Sequence, residues 1–313
     1  MKIIRNTDDI RIPYPTAITM GMFDGVHRGH QYVIKTLIQR SKEMNLASAI
    51  VTFDPHPKLV LKNLHEEIKL LTTPEEKIDI INSFNPDYMI IIPFTLDFSR
   101  LTSDEFVEKF LIEKFNMKHL LVGYDHRFGR NRQGTFSDLM NLSKLLNFSV
   151  EQLKPVDFNG KKISSTKIRT LLAEGKVEEM PGYLGRYYSL SGKVIYGKGI
   201  GKQLGFPTAN IDWGYPYKLL PKFGVYLVKV TLSGNDYFGI CNVGIKPTLP
   251  SNQPTVEVYI FDFQENIYEK NIKIEFLTFI REEKNFGNLN ELKKQIEKDV
   301  VAAQNSIHTL FHH

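Results

Sequence analysis

Up to about residue 180, short apolar runs alternate with stretches of helical periodicity. TAITMG (16–21), ASAIVTF (47–53), YMIIIPF (88–94) and HLLVG (119–123) are apolar at nearly every position, not at alternate ones. Continuous apolar runs of this length predict strands of a parallel sheet buried on both faces. A helical pattern through VIKTLIQRSKEM (33–44) separates the first two. Thr73-Pro74-Glu75-Glu76 predicts a helix start, a capping box with proline at the first helical position, and Thr102 with Glu105 repeats the box. Strand–helix alternation of this kind predicts a doubly wound α/β domain.

After about residue 184 the rhythm changes. KVIYG, GVYLVKVTL, YFGICNVG, TVEVYIFDF and NIKIEFLTFI are rich in β-branched and aromatic residues and are divided by turn residues such as SGND (233–236). This predicts an antiparallel barrel or sandwich. One helix closes the chain, with Asn288 as its cap and Glu291 three residues on. PGYLGR (181–186) reads as a linker, so the expected domains are 1–183 and 184–313.

A chain of 313 residues suits two domains of ordinary size. The single cysteine, Cys241, lies in an apolar run, excludes an intrachain disulfide and suits a reducing compartment. With no signal peptide and no membrane-spanning apolar run to be read, the expected location is the cytoplasm. The net charge of +5 is spread among acidic residues, which argues for a mildly basic surface over a nucleic-acid footprint. Lys161, Lys162, Lys167 and Arg169 form the one basic concentration. The expected partners are therefore small molecules, with neither nucleic acid nor membrane, on a monomer or weak oligomer.

The sharpest chemical signal is GMFDGVHRGH (21–30), which follows a strand and opens a helix. In a doubly wound sheet that places it at the carboxyl edge, where ligands bind. Gly21 and Gly25 let the backbone approach a ligand, and a helix N-terminus offers free N–H groups to phosphate. His27 and His30, three apart, would share a helix face and donate together to phosphate oxygens. These residues resemble the signature of the bacterial bifunctional riboflavin kinase/FAD synthetase family. TFDPHP (52–57), VGYDHRFGRNRQG (122–134) and ISSTKIR (163–169) are similar to that family in the same order. The resemblance implies a Rossmann-like nucleotidyltransferase domain that joins FMN to ATP and releases pyrophosphate. Adenylyl transfer uses a phosphate oxygen that is already anionic, so it needs charge stabilisation and in-line positioning, not a base. The family likeness assigns ATP to Gly21, Phe23, Asp24, Gly25, His27, His30, Asp125, Ser164, Ser165, Thr166 and Arg169, with His27, His30 and Arg169 acting on the phosphates. Ser164–Thr166 read equally as a plain helix cap. Asp54, His56 and Phe128 are assigned to flavin, with a proline-fixed turn at Asp54–His56 as the equal alternative. His126 stands where the family commonly has an aromatic residue.

In the second half the four glycines of GKGIGKQLGFPTAN (197–210) read as a loop that wraps phosphates through backbone amides or as a plain hairpin turn, weak evidence by itself. Its FPTAN resembles the riboflavin kinase signature, as do PKFGVY (221–226), NVGIKPT (242–248) and VEVYIFDF (256–263). The resemblance implies a β-barrel kinase domain with Gly199, Gly201, Lys202, Gly205, Thr208 and Asn210 on ATP, and with Thr208 and Asn210 on Mg²⁺. A ribityl hydroxyl is a poor nucleophile at neutral pH, so its phosphorylation benefits from a carboxylate base, here Glu257. The alternative for Glu257 is an outward-facing strand residue. Tyr259 replaces a histidine common in the family. Arg281 contacts nucleotide or flavin, or pairs with a neighbouring glutamate.

Two other functions compete. A kinase with a structural N-terminal domain would keep the fold and lose FAD synthesis. An RNA-binding protein would explain HRGH, which looks like the HxGH element of class I aminoacyl-tRNA synthetases, but ISSTKIR replaces the KMSKS-type element.

Overall fold

The computed structural model describes the chain apart from residues 6–9, 62–67, 125–134, 156, 159, 198, 246–252 and 312–313, and the side chains of 158, 161 and 162. By packing it divides into two units, Met1–Ser165 and Thr166–His313.

Unit one is built on a six-stranded sheet of β1 (Lys2–Ile4), β2 (Thr16–Met20), β3 (Ala47–Asp54), β4 (Tyr88–Pro93), β5 (Met117–Val122) and β6 (Ser149–Gln152). The spatial order is β1-β4-β3-β2-β5-β6 and every pairing is parallel. The apolar runs are explained by burial on both faces. Ala17, Ile50, Met89, Ile91 and Leu121 pack with Ile34 and Leu37 of α1 (Arg28–Glu43) and with Ile81. Their strand neighbours Ile18, Val51, Ile90, Ile92 and Leu120 pack on the other side with Phe106, Leu111 and Leu139. Alternate residues of one strand point to opposite faces, so only a sheet covered on both sides removes such runs from water. Strand order reverses between β2 and β5, and the loop after β2 therefore opens at the switch point of the sheet. That loop is GMFDGVHRGH.

Local signals hold at the helix ends. Thr73 with Glu76 and Thr102 with Glu105 both form reciprocal capping boxes, and the backbone N–H of Glu291 donates to Asn288 Oδ1 at 3.0 Å. The helix begun at Thr102 then widens into one π-helical stretch, Val107–Ile112.

Unit two is a closed antiparallel barrel, in spatial order Ala209–Asp212, Pro254–Ile260, Asn235–Ile245, Gly224–Leu232, Asn271–Arg281 and Tyr188–Ile195. SGND makes a tight turn between two of these strands. Ser233 and Gly234 take φ of 50° and 86° between paired Leu232 and Asn235, as a two-residue hairpin of right-handed twist requires. Leu227 and Val228 are both fully buried because helix Leu289–Phe311 covers one outer face, setting Ala303 against Val225, Leu227, Ile240 and Leu277. Cys241 is buried among these strands and burial pushes its thiol pKa up, which makes it a packing residue. Helices Ser165–Ala173 and Met180–Leu184 precede the barrel, and the carbonyl of Leu172 accepts from the Lys222 N–H at 2.8 Å.

Candidate active sites

The turn after β2 is held by unusual backbone. Phe23 and Val26 have φ of 49° and 37° and Gly25 of 79°, and a Cβ on Gly25 would meet Leu71 Cδ1 at 2.7 Å. Non-glycine residues in the left-handed region persist only where surroundings over-determine them. Here Asp24 is the anchor: its Oδ1 accepts from the N–H groups of Leu71 at 2.8 Å and Thr72 at 3.3 Å, and Gly25 N donates to Thr72 Oγ1. Asp24 is thus buried beneath the turn, where it shapes the loop. Phe23, 3% exposed, packs into the core and sets its edge against the His30 ring. For both residues any effect on ATP would run through the shape of the loop.

His27 and His30 do come together, by a route that spacing did not show. The helix starts at Arg28, so His27 is its N-cap and not a face residue; its Nδ1 accepts the His30 backbone N–H at 3.3 Å. The rings stack with centroids 3.6 Å apart and 15° between planes. An accepting Nδ1 places the His27 ring proton on Nε2. His30 Nδ1 is buried without a hydrogen-bond partner. Burial, then the neighbouring charges of His27 and Lys77, hold the His30 pKa well below the usual histidine value.

Ser165 Oγ donates to the Asp24 carbonyl at 3.0 Å, seating the start of ISSTKIR on the loop. Ser164 is half-buried just before helix Ser165–Ala173, on which Thr166 is exposed and Arg169 half-buried. Gly21 N–H bonds to the Val51 carbonyl at the sheet edge. Asp54 ends β3, and His56 caps a short helix through Nδ1, accepting from Lys58 N–H at 3.1 Å, so the turn reading of TFDPHP is realised. Asp125, His126, Phe128 and Gly129 lie outside the described residues, as do the side chains of Lys161 and Lys162. Two features escaped sequence reading. Lys77 Nζ sits 3.2 Å from the Met22 carbonyl. Phe53, Phe94 and Phe98 form a half-buried ring cluster beside Asp54, with centroids 5.6–5.9 Å apart. Aromatic residues at the carboxyl ends of neighbouring strands were the available signal.

In unit two the glycine loop has steric reasons for its composition. Gly199 and Gly205 flank helix Ile200–Leu204 at φ of 71° and 89°. A Cβ on Gly201 would lie 2.4 Å from the Phe206 carbonyl oxygen, and one on Gly197 2.1 Å from Asn210 Nδ2. Lys202 on this helix is exposed. FPTAN runs into strand Ala209–Asp212, where Asn210 is registered opposite Glu257. Thr208 Oγ1 reaches Glu257 Oε2 at 3.4 Å, and Asn242 flanks Glu257 from the other neighbouring strand. The structure therefore collects Thr208, Asn210 and Glu257, 49 residues apart at the extremes, beside the glycine loop. Tyr259 sets its ring edge-on to Phe206 at 5.3 Å and so supports FPTAN. Arg281 forms an ion pair, but with an aspartate of the terminal helix and not with a neighbouring glutamate. Its Nε and Nη2 grip the Asp299 carboxylate at 2.8 and 2.7 Å and Nη1 donates to the Glu282 carbonyl.

Both halves have counterparts among known proteins. Residues 9–167 match the family model for FAD synthetase and residues 184–307 that for riboflavin kinase. A bifunctional riboflavin kinase/FMN adenylyltransferase of Buchnera aphidicola subsp. Schizaphis graminum (strain Sg) is 40% identical, covering 96% of this chain and 97% of that protein. The protein of the same description from Bacillus subtilis (strain 168) is 39% identical over 91% and 90%. A solved structure from Streptococcus pneumoniae, described as a macrolide-efflux protein, superposes with a TM-score of 0.88 at 29% identity over 97% of this chain and 99% of that one. Among the described residues, no helix here is long and apolar enough to cross a membrane.

Proposed function

This chain belongs to the bifunctional riboflavin kinase/FMN adenylyltransferase family, and from that premise we infer how its two sites divide the work. The activities are phosphorylation of riboflavin to FMN and adenylylation of FMN to FAD. We assign the first to Glu257 and its neighbours, the second to the histidine pair, and the enzyme to the cytoplasm.

One observation carries the assignment. Each unit has its own glycine-rich bend, but the carboxylate beside each is used differently. Asp24 is committed to backbone N–H groups, whereas Glu257 stands against the Thr208 hydroxyl at the end of the loop. The first arrangement suits a reaction without a base. An FMN phosphate oxygen attacks the α-phosphorus of ATP and pyrophosphate leaves; His27 Nε2, His30 and the N–H groups opening α1 stabilise the charge that develops. Arg169 on the β/γ-phosphates, and Thr166 and Asp125 on the nucleotide, rest on the family resemblance. The ring cluster of Phe53, Phe94 and Phe98 offers an apolar face to the flavin beside Asp54 and His56.

The second arrangement suits hydroxyl phosphorylation. Glu257 accepts the proton of the ribityl hydroxyl as its oxygen attacks the γ-phosphorus and ADP leaves. The loop N–H groups around Gly199, Gly201 and Gly205 cradle phosphate oxygens and Lys202 adds positive charge. Thr208 and Asn210 supply neutral oxygen donors next to a carboxylate, which fits Mg²⁺ arriving with the nucleotide. When bound, the ion neutralises phosphate charge and fixes the γ-phosphate in line.

Incubation with riboflavin, ATP and Mg²⁺ followed by chromatography tests the assignment. Glu257→Gln is expected to block FMN formation and to leave FAD formation from supplied FMN intact. Equal damage to both reactions would overturn the separation of the sites.

A further inference from the structure

Beneath the glycine turn of unit one lies a cation that neither family resemblance nor sequence pattern singled out. Lys77 sits on helix Pro74–Asn82, one residue after the capping glutamate. Its Nζ donates to the Met22 carbonyl at 3.2 Å and to Thr52 Oγ1 at 3.4 Å, and the Thr52 hydroxyl donates onward to the Met22 carbonyl at 3.4 Å. Met22 belongs to GMFDGVHRGH and Thr52 to TFDPHP, so one ammonium ties together the two segments that flank the ligand edge of β2 and β3.

Two further facts separate this lysine from an ordinary buried one. It binds the carbonyl immediately before Phe23, where the strained part of the turn begins, while Asp24 is held by Leu71 and Thr72, the lead-in to the same helix. The helix and its approach thus clamp the turn at two points. The charges around Lys77 are also those of the site: Asp24 and Asp54 favour its ammonium against the cost of burial, and its charge acts on His30. Burying an ammonium is costly, and a structural tie between two segments could be made by a neutral amide.

We propose that Lys77 is a positioning residue of the adenylyl-transfer site, locking the glycine turn to the end of β3 so that the stacked imidazoles meet the nucleotide phosphates in one fixed arrangement. The proposal rests on reading unit one as the FMN adenylylation site. Lys77 acts through Met22, Thr52 and His30; Asp24 and Asp54 are the charged groups that act on it, and His27 acts with it on His30.

Lys77→Gln and Lys77→Met test it, in the full chain with Mg²⁺. Three quantities are read: kcat and KM for FAD formation from supplied FMN, riboflavin phosphorylation as the control in the other unit, and the His30 titration by NMR of histidine-labelled protein. Both variants are expected to lower kcat for FAD formation by about tenfold or more, with a smaller change in KM, and to shift the His30 titration to higher pH, since a neighbouring positive charge is gone. Lys77→Arg, which keeps the charge, should hold His30 near its original titration and recover part of kcat. If Lys77→Met fails to fold, Lys77→Gln, which retains a donor, decides the matter. A lysine needed only for folding would lower the melting temperature while kcat and the His30 titration of the folded variant stayed at wild-type values; that result overturns the proposal. Wild-type enzyme that makes FMN and no FAD would instead overturn the reading of unit one itself.

Discussion

His27 Nδ1 accepts the backbone N–H of His30 at 3.3 Å while the two rings lie stacked 3.6 Å apart. One imidazole therefore does two things: it pairs a helix N–H through Nδ1, and it stacks on its partner's ring. Capping and phosphate binding draw on the same supply of free N–H groups at a helix start.

The two roles of His27 separate by substitution. Asparagine is a good N-cap and no imidazole, whereas alanine is neither. Both His27→Asn and His27→Ala are expected to abolish FAD formation and to spare FMN formation. His27→Ala should in addition destabilise unit one by about 1 kcal/mol, read from chemical denaturation of the two variants side by side.

The stability of unit one should fall in mild acid. His30 has its folded pKa depressed by burial, His27 and Lys77, so between that value and the unfolded value of 6.5 the unfolded chain binds more protons. The contribution is complete above 6.5 and is lost as pH falls below it. Urea midpoints at pH 7.5 and 5.5 should differ more for the wild type than for His30→Gln, which has nothing to titrate at that position.

Glu257→Gln should cost about 10²- to 10⁴-fold in kcat for riboflavin phosphorylation, the range for a lost general base, with FAD formation from FMN unchanged. Gly201→Ala should act differently. Its methyl would press on the Phe206 carbonyl at 2.4 Å, deforming the loop that precedes Thr208, so the KM for ATP in the kinase reaction should rise. Steady-state assays at varied ATP distinguish the two patterns.

Arg281 and Asp299 join the last barrel strand to the terminal helix through a nearly buried carboxylate, 3% exposed. Arg281→Ala leaves Asp299 without that partner and should cost about 3 kcal/mol in unit two. Replacing both by apolar residues of similar volume should recover much of the loss, measured by thermal melts of the single and double variants.

Which parts of this could be foreseen follows from the range over which each is decided. The parallel sheet was legible because burial on both faces writes itself into consecutive residues, Ala17 and Ile18 or Met89 and Ile90. The helix starts at Thr73, Thr102 and Asn288 were legible because a cap and its partner lie three residues apart. Thr208 and Glu257 were found only through family resemblance, since no local pattern tells a facing strand carboxylate from an outward one.

The amino-acid order alone determined where elements begin and which faces are apolar, because these depend on sterics and hydrogen bonds within a few residues. Tertiary structure decided the rest. It placed His27 before the helix instead of on it, drew Lys77 under a loop 55 residues away in sequence, gave Asp24 to the backbone of Leu71 and Thr72, and sent Arg281 to Asp299. In the last three cases a charged group found its partner across the fold, and the burial that makes the partner necessary exists only once the chain has folded.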